Sequence, residues 1–426
     1  MTTPLILLLI CILSAWAVST LAELLNALRR SPTPPAGLED IHAPEAYARS
    51  QDYASANTRL RVRSDAVLTL ATVLLLLFNG LPLADGLAQN AAASLGFGPL
   101  GTDLVAGLLF IGGLLLLSQL LQLPFSLYQT FVLEERFGFN RTTPATFILD
   151  RIKGLLLGAV IGGTLLSGIL WLLHAYGPGA WIGCWALAAV VMFTLQLLAP
   201  VMLPLFFRFE PLEQGPLRRD IEQLAQRVGF SLTGLFTVDG SRRSAKGNAF
   251  FTGLGNKRRI ALFDTLLNDL SRQEIVAVLG HELGHWKLGH IRRTTLVGVL
   301  KIGALLWLFS LLLRWESLFT GLGLQPSPHA GLLLFGLLMA PLSLVLDTLH
   351  NLLSRRHEFQ ADRYAAEVTK QPEALASALR KLARQHLANL TPHPLYVALN
   401  HSHPPLAQRL AALESLAAQT RHSGSG

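Results

Sequence analysis

The chain has 426 residues, 51% of them hydrophobic and only 15% charged, and a mean hydropathy of +0.43. That balance excludes a soluble globular protein and makes a multi-span membrane protein the expectation. The net charge of +8 sits in segments between apolar runs, where membrane proteins gather basic residues, so nucleic acid is not an expected partner and the lipid bilayer is.

Seven stretches can cross a hydrocarbon core of about 30 Å, which takes about 20 helical residues. They are 4–25, 66–88, 103–126, 154–175, 180–206, 294–313 and 329–350. The first has no Lys or Arg before its apolar core, unlike a secretory signal, and is read as a retained span. Basic residues follow the first span (Arg29, Arg30, Arg49, Arg59, Arg61, Arg63) and the third (Arg136, Arg141, Arg151, Lys153), and none follows the second or fourth. The positive-inside rule then puts the N-terminus outside, and the C-terminus and the 207–293 segment in the cytoplasm. The GFGPLG run at 96–101 fits a dinucleotide-binding pattern but lies between spans with no strand before it, so it is coincidental. Glu23, Asp85, Lys301 and Asp347 are costly in lipid and should face an interior, although snorkelling from a span end suits Glu23 and Asp85.

Four regions follow: 1–206 with five spans, a cytoplasmic zincin subdomain at 207–293, spans six and seven at 294–350, and a helical C-terminal region at 351–426. In the second, PLRRDIEQLAQRVGF has helical spacing, while LTGLFTVDGS and NAFFTGLGNKRRIALFD read as strands around Gly-Asn turns, giving a small α+β unit. The run Lys257, Arg258, Arg259 reads as a solvated turn, and HSGSG at the end as an unstructured tail. Cys11 and Cys184 lie inside apolar runs and offer no thiolate site, so any metal must use His and carboxylates.

The chemistry concentrates in VAVLGHELGHWKLGH, residues 276–290. Ser271 followed by Glu274 is a capping-box signal that starts a helix just before it. Four residues turn a helix through about 400°, so His281 and His285 share a face with Glu282 beside them, the H-E-x-x-H zincin arrangement. His290, about 140° further round, should be structural, and Leu288 and Ile291 exclude the metzincin pattern. A catalytic zinc wants a third protein ligand. In NLLSRRHEFQADRYA (351–365), Glu358 and Asp362 lie four apart; Glu358 is the better ligand, and Asp362 suits accepting the outer N–H of a zinc-bound His. His357 competes for the ligand place, and simple pairing of the two acids with Arg355, Arg356 or Arg363 is the alternative. Spans six and seven leave and return to one membrane side, so all three ligands can meet.

With YARSQDYASANTRL (47–60), EERFGFNRTTPATFILD (134–150), DGSRRSAKGNAFFTGLGNKRRIALFDTLL (239–267) and NHSHPPLAQRL (400–410), the chain resembles the type I CAAX prenyl endopeptidases, integral-membrane gluzincins, over nearly its whole length. The resemblance implies a mainly α membrane protein, with seven transmembrane helices around a water-filled chamber and a small α+β zincin domain on the cytoplasmic side. It implies one zinc ion held by His281, His285 and Glu358, with Glu282 as the catalytic base and His403 near the scissile carbonyl. Asn248 and Arg409 match a substrate-facing asparagine and a C-terminal-motif arginine of the family, which implies that both bind substrate. LFFRFEPL (205–212) departs from the family near Phe207, which touches lining or packing. Zinc so bound lowers the pKa of its water towards about 7, and Glu282 takes the proton as water attacks a peptide carbonyl. The expected substrate is a peptide or protein, possibly prenylated. A broad-specificity quality-control protease and a non-proteolytic zinc-binding transporter or scaffold are the alternatives. The tail RHSGSG carries no dibasic retrieval signal, which makes a bacterial inner membrane the expected home.

Overall fold

The structure is a computed structural model that describes residues 2–31, 33–252 and 258–423. Lys257 of the expected turn and the last three residues of the tail lie outside them. The membrane part consists of α1 (Thr3–Leu28), α2 (Pro44–Leu77), α3 (Gly80–Ala93), α4 (Pro99–Tyr128), α5 (Pro144–Tyr176) and α6 (Trp181–Met202). The α+β unit follows with β1 (Phe209–Pro211), α7 (Pro216–Val228), β2 (Leu232–Val238), β3 (Ala249–Thr252), β4 (Arg258–Phe263), α8 (Asp264–Asp269) and α9 (Arg272–Lys287). The chain then enters α10 (His290–Leu312), the short α11 (Glu316–Thr320), α12 (Pro328–Leu338) and α13 (Ala340–Thr369). It ends in α14 (Pro372–Gln385), α15 (Pro394–Asn400) and α16 (Leu406–Ser423).

Each expected span falls on helix, but two are bent. The second breaks between α2 and α3 by 77°, where Asn79 takes a left-handed φ of 54° and Pro82 cannot donate to the carbonyl of Phe78. The seventh breaks between α12 and α13 by 61°, two residues before Pro341, for the same reason. Between α5 and α6 a turn at Gly177–Ala180 reverses the chain, so Gly168 abuts Leu187 and Gly183 abuts Leu172 across a helical hairpin.

Helix packing closes a ring: α1 on α2, α2 on α4, α4 on α5, α5 on α6, α6 on α10, α10 on α12, and both α12 and α13 back on α1. In the most apolar window of each unbroken span no more than 22% of residues are buried, so little of that apolar surface is covered by neighbouring helices. Asp347 lies eleven residues before Glu358, within about 20° of it around α13, and pairs with Lys301 of α10 at 3.6 Å. Val345, Leu349 and Leu352 occupy the other side of α13 as exposed apolar residues. Glu23 and Asp85 do not snorkel: both are buried, Glu23 against Arg61 (2.8 Å) and Asp85 against His329 (2.7 Å).

The sheet has the order β1-β2-β4-β3, with β2 and β4 parallel and both outer pairings antiparallel. β1 was not legible in LFFRFEPL, being three residues long and ending in proline; it pairs Phe209 with Val238. Ile221, Leu224 and Val228 of α7, Ile260 and Leu262 of β4, and Ile275, Leu279 and Leu283 of α9 form one core, so α9 rides on the sheet. The helical segments that follow the first and third spans hold this unit: Tyr53 donates to Glu134 (2.6 Å), Lys246 donates to Tyr53 (2.8 Å), and Arg243 grips Asp150.

α9 starts as its sequence predicts. The Ser271 hydroxyl accepts from the Glu274 amide and the Glu274 carboxylate accepts from the Ser271 amide, a complete capping box, while Lys381 (2.7 Å) and Ser377 (2.6 Å) of α14 bind the same carboxylate. Its other side meets α13 with almost no intervening side chain. A Cβ on Gly280 would stand 3.0 Å from Thr369 and 3.5 Å from the Ala365 backbone, and one on Gly284 3.2 Å from the Ala361 backbone; Ala361 and Ala365 are fully buried. Gly284→Leu is therefore expected to cost about 1–3 kcal/mol and to impair metal retention, whereas Gly162→Leu, with open space at its Cβ, leaves both unchanged. Thermal unfolding and metal content of the two variants check this; equal behaviour would contradict it.

Candidate metal centre

The close approach of α9 and α13 brings His281, His285 and Glu358 together, with one ligand atom from each within 4.8 Å of the others. The two imidazole Nε2 atoms are 3.1 Å apart, and Glu358 reaches His285 Nε2 at 3.1 Å and His281 Nε2 at 3.4 Å. Ligands about 2.0–2.1 Å from one tetrahedral ion lie roughly 3.3 Å apart, so these separations match a shared metal. Glu358 Oε2 is buried without a hydrogen bond, a lone pair that a cation would satisfy.

Charge points the same way. Glu358 and Asp362 are both buried and, among the described residues, only one guanidinium, that of Arg409, is buried with them, leaving a deficit of positive charge. Burial opposes the charging of His281, but its hydrogen bond to Asp362 and the nearby Glu358 carboxylate outweigh this and push its pKa up to about 9. Glu282, next along α9, has its pKa raised, first by burial, although both histidines pull it back; it lies close enough to feel Glu358 and Arg409.

The outer contacts are as informative. His281 Nδ1 donates to Asp362 at 2.8 Å, turning Nε2 towards the cluster. Arg409 is placed differently from the substrate contact expected of it: it is buried and grips Asp362 through Nε (2.8 Å) and Nη2 (2.6 Å), with Nη1 3.5 Å from Glu358. Its committed guanidinium braces the acid that orients His281. His403 stands at the rim, 64% exposed, with Nε2 3.5 Å from Glu358 and Nδ1 3.0 Å from the Ser402 hydroxyl. Arg355 fastens the segment before it by donating to the carbonyls of Val397 (3.0 Å) and His401 (2.6 Å). Asn248 is exposed at the head of β3, where its Oδ1 accepts from the Ala249 amide and its carbonyl from the Phe263 amide. β3 is an outer strand among the described residues and packs beside α9.

His357 is not in the cluster; it stacks on His290 with ring centroids 4.1 Å apart and 8° between planes. Phe207 packs on Phe263 and under the Arg243 guanidinium, so the departure at this position concerns packing.

A helical ring in which an H-E-x-x-H helix and a carboxylate-bearing helix converge on one site defines an integral-membrane metallopeptidase. The comparisons name its kind. A model of the CAAX prenyl protease N-terminal region, with five membrane helices, matches residues 24–208, and that of peptidase family M48 matches residues 211–417. The chain is 36% identical to a CAAX prenyl protease 1 homolog of Oryza sativa over 90% of each chain. It is 36% identical to the CAAX prenyl protease 1 of Saccharomyces cerevisiae over 89% of this chain and 88% of that one. The human homolog is 33% identical over 90% and 89%. The crystal structure of S. mikatae Ste24p superposes with a TM-score of 0.91 at 32% identity, covering 97% of this chain and all of that one. The chain belongs to the CAAX prenyl protease family of M48 metallopeptidases: it is a membrane metalloendopeptidase whose substrate is a peptide or protein.

Asp362→Asn, which removes the charge while keeping the shape, is expected to weaken metal binding by about 10–100-fold. Titration against a chromophoric chelator measures it, and unchanged affinity would contradict the orienting role of Asp362.

Proposed function

We propose that the chain is a zinc endopeptidase that cleaves C-terminal CAAX-type sequences of prenylated peptides, with one ion held by His281, His285 and Glu358. The convergence of three donors beside Glu282 carries the chemistry of this reading, and the printed names of the relatives support the substrate class. His281, His285 and Glu358 would hold the zinc, which when bound would supply Lewis-acid polarisation of the scissile carbonyl and acidify water near neutral pH.

Glu282, its pKa raised by burial, takes the proton from the attacking water and returns it to the leaving amine. His403, exposed at the rim, donates to the carbonyl oxygen as charge builds on it. Asp362 and Arg409 hold His281 in the tautomer that leaves Nε2 free. The outer edge of β3, headed by Asn248, aligns an extended peptide through its main chain, which fixes the scissile bond with little demand on sequence.

The active site faces the cytosol in this reading. The basic segments after the first and third spans contact the α+β unit, so both lie on the side of the metal centre, the side the positive-inside rule assigns to the cytoplasm. The relatives above are eukaryotic and give no support to a bacterial inner membrane.

Glu282→Gln should retain zinc and lose nearly all turnover; normal turnover would remove Glu282 from its role. Mass analysis of products from matched prenylated and unprenylated CAAX peptides tests the substrate. Release of the last three residues from the prenylated peptide is expected, and equal cleavage at scattered sites in both would point to a quality-control protease.

A further inference from the structure

The two candidate ligand histidines are held from behind in different ways. His281 leans on the charged pair Asp362 and Arg409. Among the described residues no carboxylate stands at the outer nitrogen of His285: its Nδ1 lies 3.1 Å from Nδ1 of His290, whose Nε2 lies 2.9 Å from Oε1 of Gln360. The polarity of this chain of contacts follows from chemistry. With Nε2 of His285 turned to the metal, its proton sits on Nδ1, so His290 Nδ1 must accept and carry its own proton on Nε2, which the Gln360 carbonyl oxygen accepts.

Local structure explains how a residue five positions further on reaches back. α9 ends at Lys287, Gly289 takes a φ of 70°, and His290 begins α10 on a new axis. The stack on His357 fixes the plane of the buried His290 ring, and His357 is the residue immediately before Glu358.

We propose that His290 is a positioning residue for the metal site: through the neutral relay His285–His290–Gln360 it fixes the tautomer and ring angle of His285. The neutrality matters. A second carboxylate behind the ligands would donate more charge to the ion and make its water less acidic, whereas an amide-terminated relay orients His285 and leaves the charge of the site to Glu358 and Asp362. The inference rests on the zinc reading above.

Two variants separate positioning from packing. His290→Asn keeps an acceptor oxygen near the place of Nδ1 but loses the stack, and His290→Phe keeps the stack but loses the acceptor. In the full chain in detergent, zinc affinity is read by chelator competition, the cobalt-substituted forms by their visible absorption bands, and the fold of the metal-free forms by thermal unfolding. His290→Phe should bind zinc about 10–100-fold more weakly, with shifted cobalt bands, and His290→Asn should stay near the wild-type chain in both. Zinc binding by His290→Phe at the wild-type level, or an equal loss in both variants, overturns the proposal. A wild-type chain that takes up no zinc overturns the reading beneath it instead.

Discussion

The molecule turns on one packing contact, the near-backbone approach of α9 to α13. Gly280 and Gly284 on one helix and Ala361 and Ala365 on the other leave no room for larger side chains, and the candidate ligand residues flank those positions. His281 and His285 neighbour the two glycines, and Glu358 and Asp362 precede Ala361 and Ala365 by three residues, which puts the donors at the rim of the contact. Much of the remaining structure fixes this approach. The sheet supports α9 from one side, Glu274 ties it to Ser377 and Lys381 of α14, and the passage through α10 and α12 returns the chain to the same end of the ring.

Burying the cluster creates the electrostatic demand that defines it. Two carboxylates and one guanidinium in a desolvated site are unstable without another positive charge, and the pKa of His281 is raised by the same two acids. The same burial raises the pKa of Glu282, giving it the proton affinity that a general base needs. The geometry of the donor cluster and the raised pKa of Glu282 thus come from one source.

Spacing made much of the site legible in the sequence. The capping box, the i, i+4 histidines and the i, i+4 acids are local patterns, and the structure puts Ser271, His281, His285, Glu358 and Asp362 where helical periodicity expects them. Longer-range features were not legible. The helix-wheel argument put His290 about 140° away from His285, but it assumed one continuous helix, and the break at Gly289 returns His290 to contact. Arg409 meets Asp362 across 47 residues, a contact no periodicity encodes. The bends at Asn79 and before Pro341 had signals in the sequence, a turn-prone Asn-Gly pair and a proline, hidden inside apolar runs long enough to pass as straight spans.

The central claim is that two helices separated in sequence by an out-and-back pair of membrane segments share one ion. Anomalous diffraction at the zinc edge from crystals of the full chain tests it most directly. The account predicts a single strong peak about 2.0–2.2 Å from Nε2 of His281, Nε2 of His285 and an oxygen of Glu358. A peak elsewhere, or one that touches the histidines while Glu358 stays out of bonding distance, would contradict it.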